Sequence, residues 1–196
     1  MITPLHHHIA KRTWNWLTRF RHRQGYGIHS PYAFNFVTGV VYESGHYYAD
    51  AMLKKVYAQA QQQQRQGLRL KDCRLLFRLA NFQQAHCCRL VGYDMKCLPV
   101  KFMQAACTHT RYVTDAQAMA DMVMAAPLWP QLATSLIESL PVGGMLVLNQ
   151  VAGANKQAWL QLLQHPNAVI AFDLHDFGII INHPDLQRQH YVVNFY

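Results

Sequence analysis

Asp173-Leu174-His175-Asp176 is an acid–imidazole–acid run inside an otherwise apolar stretch. In a strand, successive side chains point to opposite faces, so Asp173 and His175 share one face and Asp176 takes the other. The three do not converge on a metal. His6-His7-His8 lacks the i, i+4 spacing that brings two imidazoles to one side of a helix. Cys73, Cys87, Cys88, Cys97 and Cys107 are odd in number, include an adjacent pair and show no C-x-x-C spacing. They read as reduced, mostly buried thiols, neither a disulfide framework nor a zinc site. No G-x-S-x-G, Walker A or H-E-x-x-H motif occurs, so hydrolase, nucleotide-triphosphate and zincin chemistries lack their usual residues. In Gly25-Tyr26-Gly27-Ile28-His29-Ser30-Pro31, Ser30 suits a helix N-cap and Pro31 the first helical position. His29 either orders that loop or lines a pocket beside it.

The elements that must carry these residues follow from hydrophobic spacing. Helices are expected over 9–23, 47–66, 73–83, 98–106, 129–140 and 155–164, with an aromatic-rich buried segment at 32–41. Ala51, Met52, Val56, Tyr57 and Ala60 mark the buried stripe of the second helix. Strands are expected over 86–92, 110–114, 121–125 and 144–149. A long apolar strand is expected over 168–182, with Gly178 as a bulge, and a final one over 190–196 after a turn at 185–187. Strands alternating with helices imply a parallel sheet, and the closing strand–turn–strand implies an antiparallel edge hairpin.

Composition excludes whole classes. With 51% hydrophobic and 14% charged residues the chain is too apolar to be disordered. No apolar run approaches the ~18–20 residues of a membrane span, and 1–10 lacks the apolar core of a signal peptide, so a cytoplasmic protein is expected. The net charge of +8 arises because 18 Lys+Arg face only 10 Asp+Glu. That balance favours an anionic partner such as RNA or a membrane surface, although the bases form no single block. The basic helix at 9–23 either lies on such a surface or buries Trp14 and Leu17 against its own domain.

Two motifs at opposite ends carry a resemblance. Arg23-x-x-Gly-x-Gly-Ile-His-Ser-Pro-Tyr-x-Phe-x-Phe-Val resembles the "RHGVHSPF-x-F" opening of a family of small bacterial class I SAM-dependent methyltransferase-like proteins. His165-Pro166, Phe172-Asp173-Leu174, Phe177-Gly178-Ile179 and Gln189-His190-Tyr191-Val192 resemble that family's closing "HP…DLF-x-FG…KQH" pattern. Leu75-Leu76-Phe77-Arg78-Leu79 is similar to its helix before the first strand. The resemblance implies an α/β fold with a seven-stranded Rossmann-like sheet whose last strand is antiparallel. It divides the chain into a helical N-terminal extension over 1–70, packed on a methyltransferase-type domain over 71–196.

It also implies S-adenosylmethionine, held by a Gly-rich turn after the first strand, a ribose-binding acid after the second and a further contact after the fourth. Gly92, Asp94 and Asp115 are the remnant candidates for those roles, each acid equally suited to capping a turn. The chain departs from the family around them. The second glycine is replaced in Gly92-Tyr93-Asp94-Met95-Lys96, and Lys96 would place positive charge beside a sulfonium. The family's "IDG-x-H" segment reads Ala125-Ala126-Pro127-Leu128-Trp129, and its paired acids read Asn149-Gln150. Between Gly92 and Asp121 there is chain for one βα unit of about 25 residues, so the cofactor half should lack a strand. The expectation is a degenerate methyltransferase fold with no catalytic residues, no metal and no cofactor held, serving a protein or small-molecule partner. An active methyltransferase with a relaxed site and an RNA- or anion-binding protein are the alternatives.

Overall fold

The computed structural model describes residues 27–62 and 68–195. The basic helix expected over 9–23 and residues 63–66 of the 47–66 helix lie outside the described residues.

Ser30 does cap the first helix, α1 (Pro31–Phe36), its Oγ accepting a hydrogen bond from the Ala33 amide at 3.3 Å. The helix runs on into a π-turn over Val37–Val41, whose end is met by the Arg78 guanidinium donating to the Val40 and Val41 carbonyls at 2.6 and 2.9 Å. Helix α2 (Asp50–Gln62) fully buries only Leu53, while Met52, expected on the inner stripe, is 52% exposed. Helix α3 (Leu70–Gln83) opens on a reciprocal Arg69–Asp72 cap and ends at Gln84 in a left-handed conformation.

From there strands and helices alternate: β1 (Cys87–Val91), α4 (Leu98–Ala106), β2 (Arg111–Val113) and β3 (Met122–Ala125). A 3-10 turn leads into α5 (Ala133–Glu138), followed by β4 (Met145–Asn149), a second 3-10 turn and α6 (Lys156–Leu162). Three strands close the chain: β5 (Ile170–Asp173), β6 (Phe177–Ile181) and β7 (Gln189–Val192). The order across the sheet is β2-β1-β3-β4-β6-β5-β7, with only β6 antiparallel to its neighbours. The architecture is α/β, a Rossmann-like mixed sheet with helices on both faces.

The central strands β3, β4 and β6 are buried along their whole length, which is why they read as unbroken apolar runs without alternation. On one face Phe36, Leu76 and Leu79 of the N-terminal helices pack against Leu90, Met122 and Phe172, and Phe36 stacks on Phe172 with centroids 4.6 Å apart. The segment preceding α3 therefore shares its core with the sheet. On the other face Trp129, Leu136, Ile137 and Trp159 cover Val123, Leu146 and Ile180.

The C-terminal hairpin differs from the sequence expectation. The 168–182 stretch is two strands, β5 and β6, joined by a turn in which His175 has φ +72° and the Leu174 amide donates to the Phe177 carbonyl at 2.8 Å. The polar Asp173 and Asp176 flanking that turn interrupt the apolar run. The final strand does not fold back as the hairpin partner: β7 runs parallel to β5 at the sheet edge. Nor is Gly178 a bulge, since it pairs in register with Leu148 on one side and Asp173 on the other. It is small because a Cβ there would come within 2.6 Å of the Val151 side chain and 2.7 Å of the Trp159 ring. Gly178→Ala should lower folding stability by about 1–3 kcal/mol through overpacking. Urea unfolding measures this, and an unchanged midpoint would contradict the packing described.

Candidate functional site

In open α/β sheets, ligands bind outside the carboxyl ends of the strands where the strand order reverses. That point lies between β1 and β3. The chain leaves β1 through α4 to the outer strand β2, then returns past β1 to β3 and continues the other way.

Side chains of this protein occupy the place. Gly92, directly after β1, has φ +72°, and a Cβ on it would sit 2.9 Å from the Ala126 Cβ after β3. The next residue, Tyr93, reaches across the end of β3, because its hydroxyl accepts a hydrogen bond from Asn149 Nδ2 at the end of β4, at 2.9 Å. Asn149 is 8% exposed, and its carbonyl is held by Trp129 Nε1 at 2.9 Å. Burial pushes the Tyr93 phenol up to about 12, so at neutral pH it keeps its proton. Asn155 Nδ2 ties the Pro127 and Gln150 carbonyls together, both at 2.9 Å, and so joins the loops after β3 and β4.

The remnant acids are engaged locally. Asp94 is exposed and its Oδ1 accepts the Lys96 amide at 2.6 Å. Asp115 is exposed and accepts the Gln117 amide at 2.9 Å. Each is a short turn in which the carboxylate receives a backbone N–H two residues on. His29 is exposed ahead of α1, while Ser30 is buried in its capping role. Asp173 pairs with Lys156 at 2.7 Å and accepts the His175 amide at 2.9 Å, whereas Asp176 bonds Arg69, which also holds Asp72. The acid–imidazole–acid run is thus shared among separate partners. Burial pushes the Cys73 thiol up to about 12 and raises Cys88 as well, which holds both in the unreactive thiol form.

Among the described residues, Arg89 is a buried cation with a donor left unpaired. It stands in the middle of β1 on the face covered by α5, only 6% exposed. Nη1 donates to the Ala116 carbonyl at 2.8 Å and Nη2 to Ser139 Oγ at 2.7 Å, while Nε has no acceptor. Burial lowers its pKa from the ordinary arginine value, with the nearby charge of Asp115 acting the other way. Among the described residues it makes no ion pair. A desolvated charge without a counter-charge costs several kcal/mol. Beside it lies a cleft of about 700 Å³, walled by the end of β1, the 114–119 loop and one side of α5. Arg89 falls inside the strand expected over 86–92 and is not among the candidate residues of the sequence. The available signal was a single charge inside Cys87-Cys88-Arg89-Leu90-Val91, at a position that alternation places with the inward Cys87 and Val91.

No protein-family profile and no curated protein matches the chain. Among solved structures it is similar to the cofactor-bound crystal structure of Rv0187 from MTB, at a TM-score of 0.42 and 16% identity over 78% of this chain and 96% of that one. A likeness of that size carries no weight for function.

Two substitutions probe the filled switch point. Tyr93→Phe leaves the Asn149 amide without its acceptor and should cost about 1–3 kcal/mol. Gly92→Ala forces a left-handed conformation on a residue with a Cβ, for a further loss of about 1–3 kcal/mol. Equilibrium denaturation of each variant checks both, and wild-type stability in either would mean that the corresponding contact is absent.

Proposed function

We propose that this chain is a class I SAM-dependent methyltransferase-like protein whose cofactor crevice has closed, and that it acts as a binding module without catalysing methyl transfer. The opening and closing sequence motifs supply the family. The layout supports it in part: one strand lies beyond β1 and a lone antiparallel strand closes the hairpin, but that strand is β6, and the last strand, β7, is parallel at the far edge.

The observation that carries the loss of cofactor is the Tyr93–Asn149 hydrogen bond. S-adenosylmethionine would need the space across the ends of β1 and β3 and backbone that approaches it closely. Tyr93 crosses the end of β3 to Asn149 and Ala126 crowds Gly92, so the space that stays open lies on the β2 side of β1, in a cleft of about 700 Å³ that Gly92 and Tyr93 also line. The residues present do not fit the cofactor. Asp94 and Asp115 offer no compensation, since each is turned to a backbone amide on its own loop.

Calorimetric titration of the purified chain with S-adenosylmethionine and S-adenosylhomocysteine, at millimolar ligand, should give no heat beyond dilution. Asp115→Ala should leave that result unchanged. One-site heat from either ligand, or any methyl transfer dependent on S-adenosylmethionine, would overturn the reading.

A further inference from the structure

We propose that the cleft beneath β1 binds an amphipathic carboxylate, an apolar body with a single negative charge, and that the Arg89 guanidinium supplies the counter-charge. The proposal rests on the binding-module reading and names the ligand class of such a module.

The cleft has a structural origin. A parallel crossover is usually made by a helix, but β2 ends at Val113 and β3 begins at Met122. The intervening loop contains no helix. It crosses the α5 side of the sheet, where Arg89 holds it through the Ala116 carbonyl. The surface under β1 is therefore covered by loop and by the flank of α5, with a gap between them of a size that suits a small organic ligand.

The lining selects the chemistry. Arg89 is more than nine-tenths buried, and only two of its N–H groups have acceptors, both of them neutral. Asp115 is close enough to favour the charge yet does not pair with it, its Oδ1 facing the Gln117 amide. A carboxylate is the group whose geometry and charge complete a guanidinium. Among the described residues no second base lines the cleft, which fits a monoanion. Around the mouth stand Met119, 89% exposed, and Leu132, 47% exposed, with Leu136 buried behind them. Large apolar side chains held in water at the rim of a polar-floored cleft suit a ligand with an apolar body.

The test uses 2-naphthoate and its neutral counterpart 2-naphthamide, titrated calorimetrically into the full chain. The expected result is one-site binding of naphthoate, about tenfold or more tighter than the amide, as a charge-assisted contact requires. Arg89→Lys should keep part of that preference, and Arg89→Gln should abolish it. Because Arg89 also anchors the 114–119 loop, a second variant leaves it in place. Ser135→Glu, at an exposed position of α5 on the cleft wall, should weaken naphthoate far more than naphthamide, with circular dichroism confirming the fold. Equal affinity for the two probes, binding of neither to folded wild type, or naphthoate affinity indifferent to Ser135→Glu would each overturn the proposal. The S-adenosylmethionine titration is read separately. Heat there would sink the binding-module reading, while the charge preference in the naphthoate series would report on the cleft alone.

Discussion

The short link between β2 and β3 constrains much of what is distinctive in this protein. A parallel sheet needs cover on both faces, and the cover normally comes from the crossover helices themselves. Here α4, from the first crossover, packs with the N-terminal helices on one face. Helices α5 and α6, from the crossovers around β4, build the other. The β2–β3 crossover contributes only a loop. The sheet is consequently well covered over β3, β4 and β6 and thinly covered under β1, and Arg89 lies where that cover runs out.

The same shortening alters the switch point. A cofactor crevice depends on small residues after the first strand, so that backbone can approach the ligand. In this chain Gly92 keeps the left-handed turn, but the contact it permits is with Ala126 across the neighbouring strand end. Tyr93 then projects over β3 to Asn149 and ties the ends of β1 and β4 together. The lateral tie made by Asn155 between the loops after β3 and β4 stiffens the same region. Three adjacent strand ends, those of β1, β3 and β4, are laced together by hydrogen bonds of 2.9 Å.

Most of the sheet was legible in the sequence because fully buried strands leave an unmistakable pattern. The runs Met122–Ala125 and Met145–Asn149 are apolar throughout and bounded by polar or glycine residues, and they were placed to within a residue or so. The short run of chain between β1 and β3 was visible in the sequence as room for a single βα unit. The closing hairpin was misread because apolar residues resume at once after Asp173–Asp176, and hydropathy alone cannot distinguish a tight turn from a polar kink inside one strand. The turn at His175 rests on a positive φ, which His adopts more readily than most residues but which its presence in an apolar run does not announce. Gly178 misled for a different reason: its need is steric, created by Trp159 from another element. Asp94 and Asp115 take turn-forming roles on their own loops, and Arg89 escaped notice because a strand-length window averages one charge away.

Whether Arg89 is more than an anchor turns on what anchoring requires. The two hydrogen bonds it makes go to a backbone carbonyl and a serine hydroxyl, both neutral acceptors. A glutamine amide carries two donors and no charge, so the same pair of bonds is within the means of an uncharged side chain. The positive charge is surplus to the anchor, yet it carries the larger penalty, since removing a cation from water without a partner costs several kcal/mol. Its Nε adds a buried donor without an acceptor, typically another 1–3 kcal/mol or about that. A clamp made this way is a poor one, whereas a counter-charge kept partly desolvated at the wall of a cleft is strong toward an arriving anion for the same reason that it is costly alone. The cost of Arg89 in the empty protein and its affinity for a carboxylate are two readings of one low-dielectric environment.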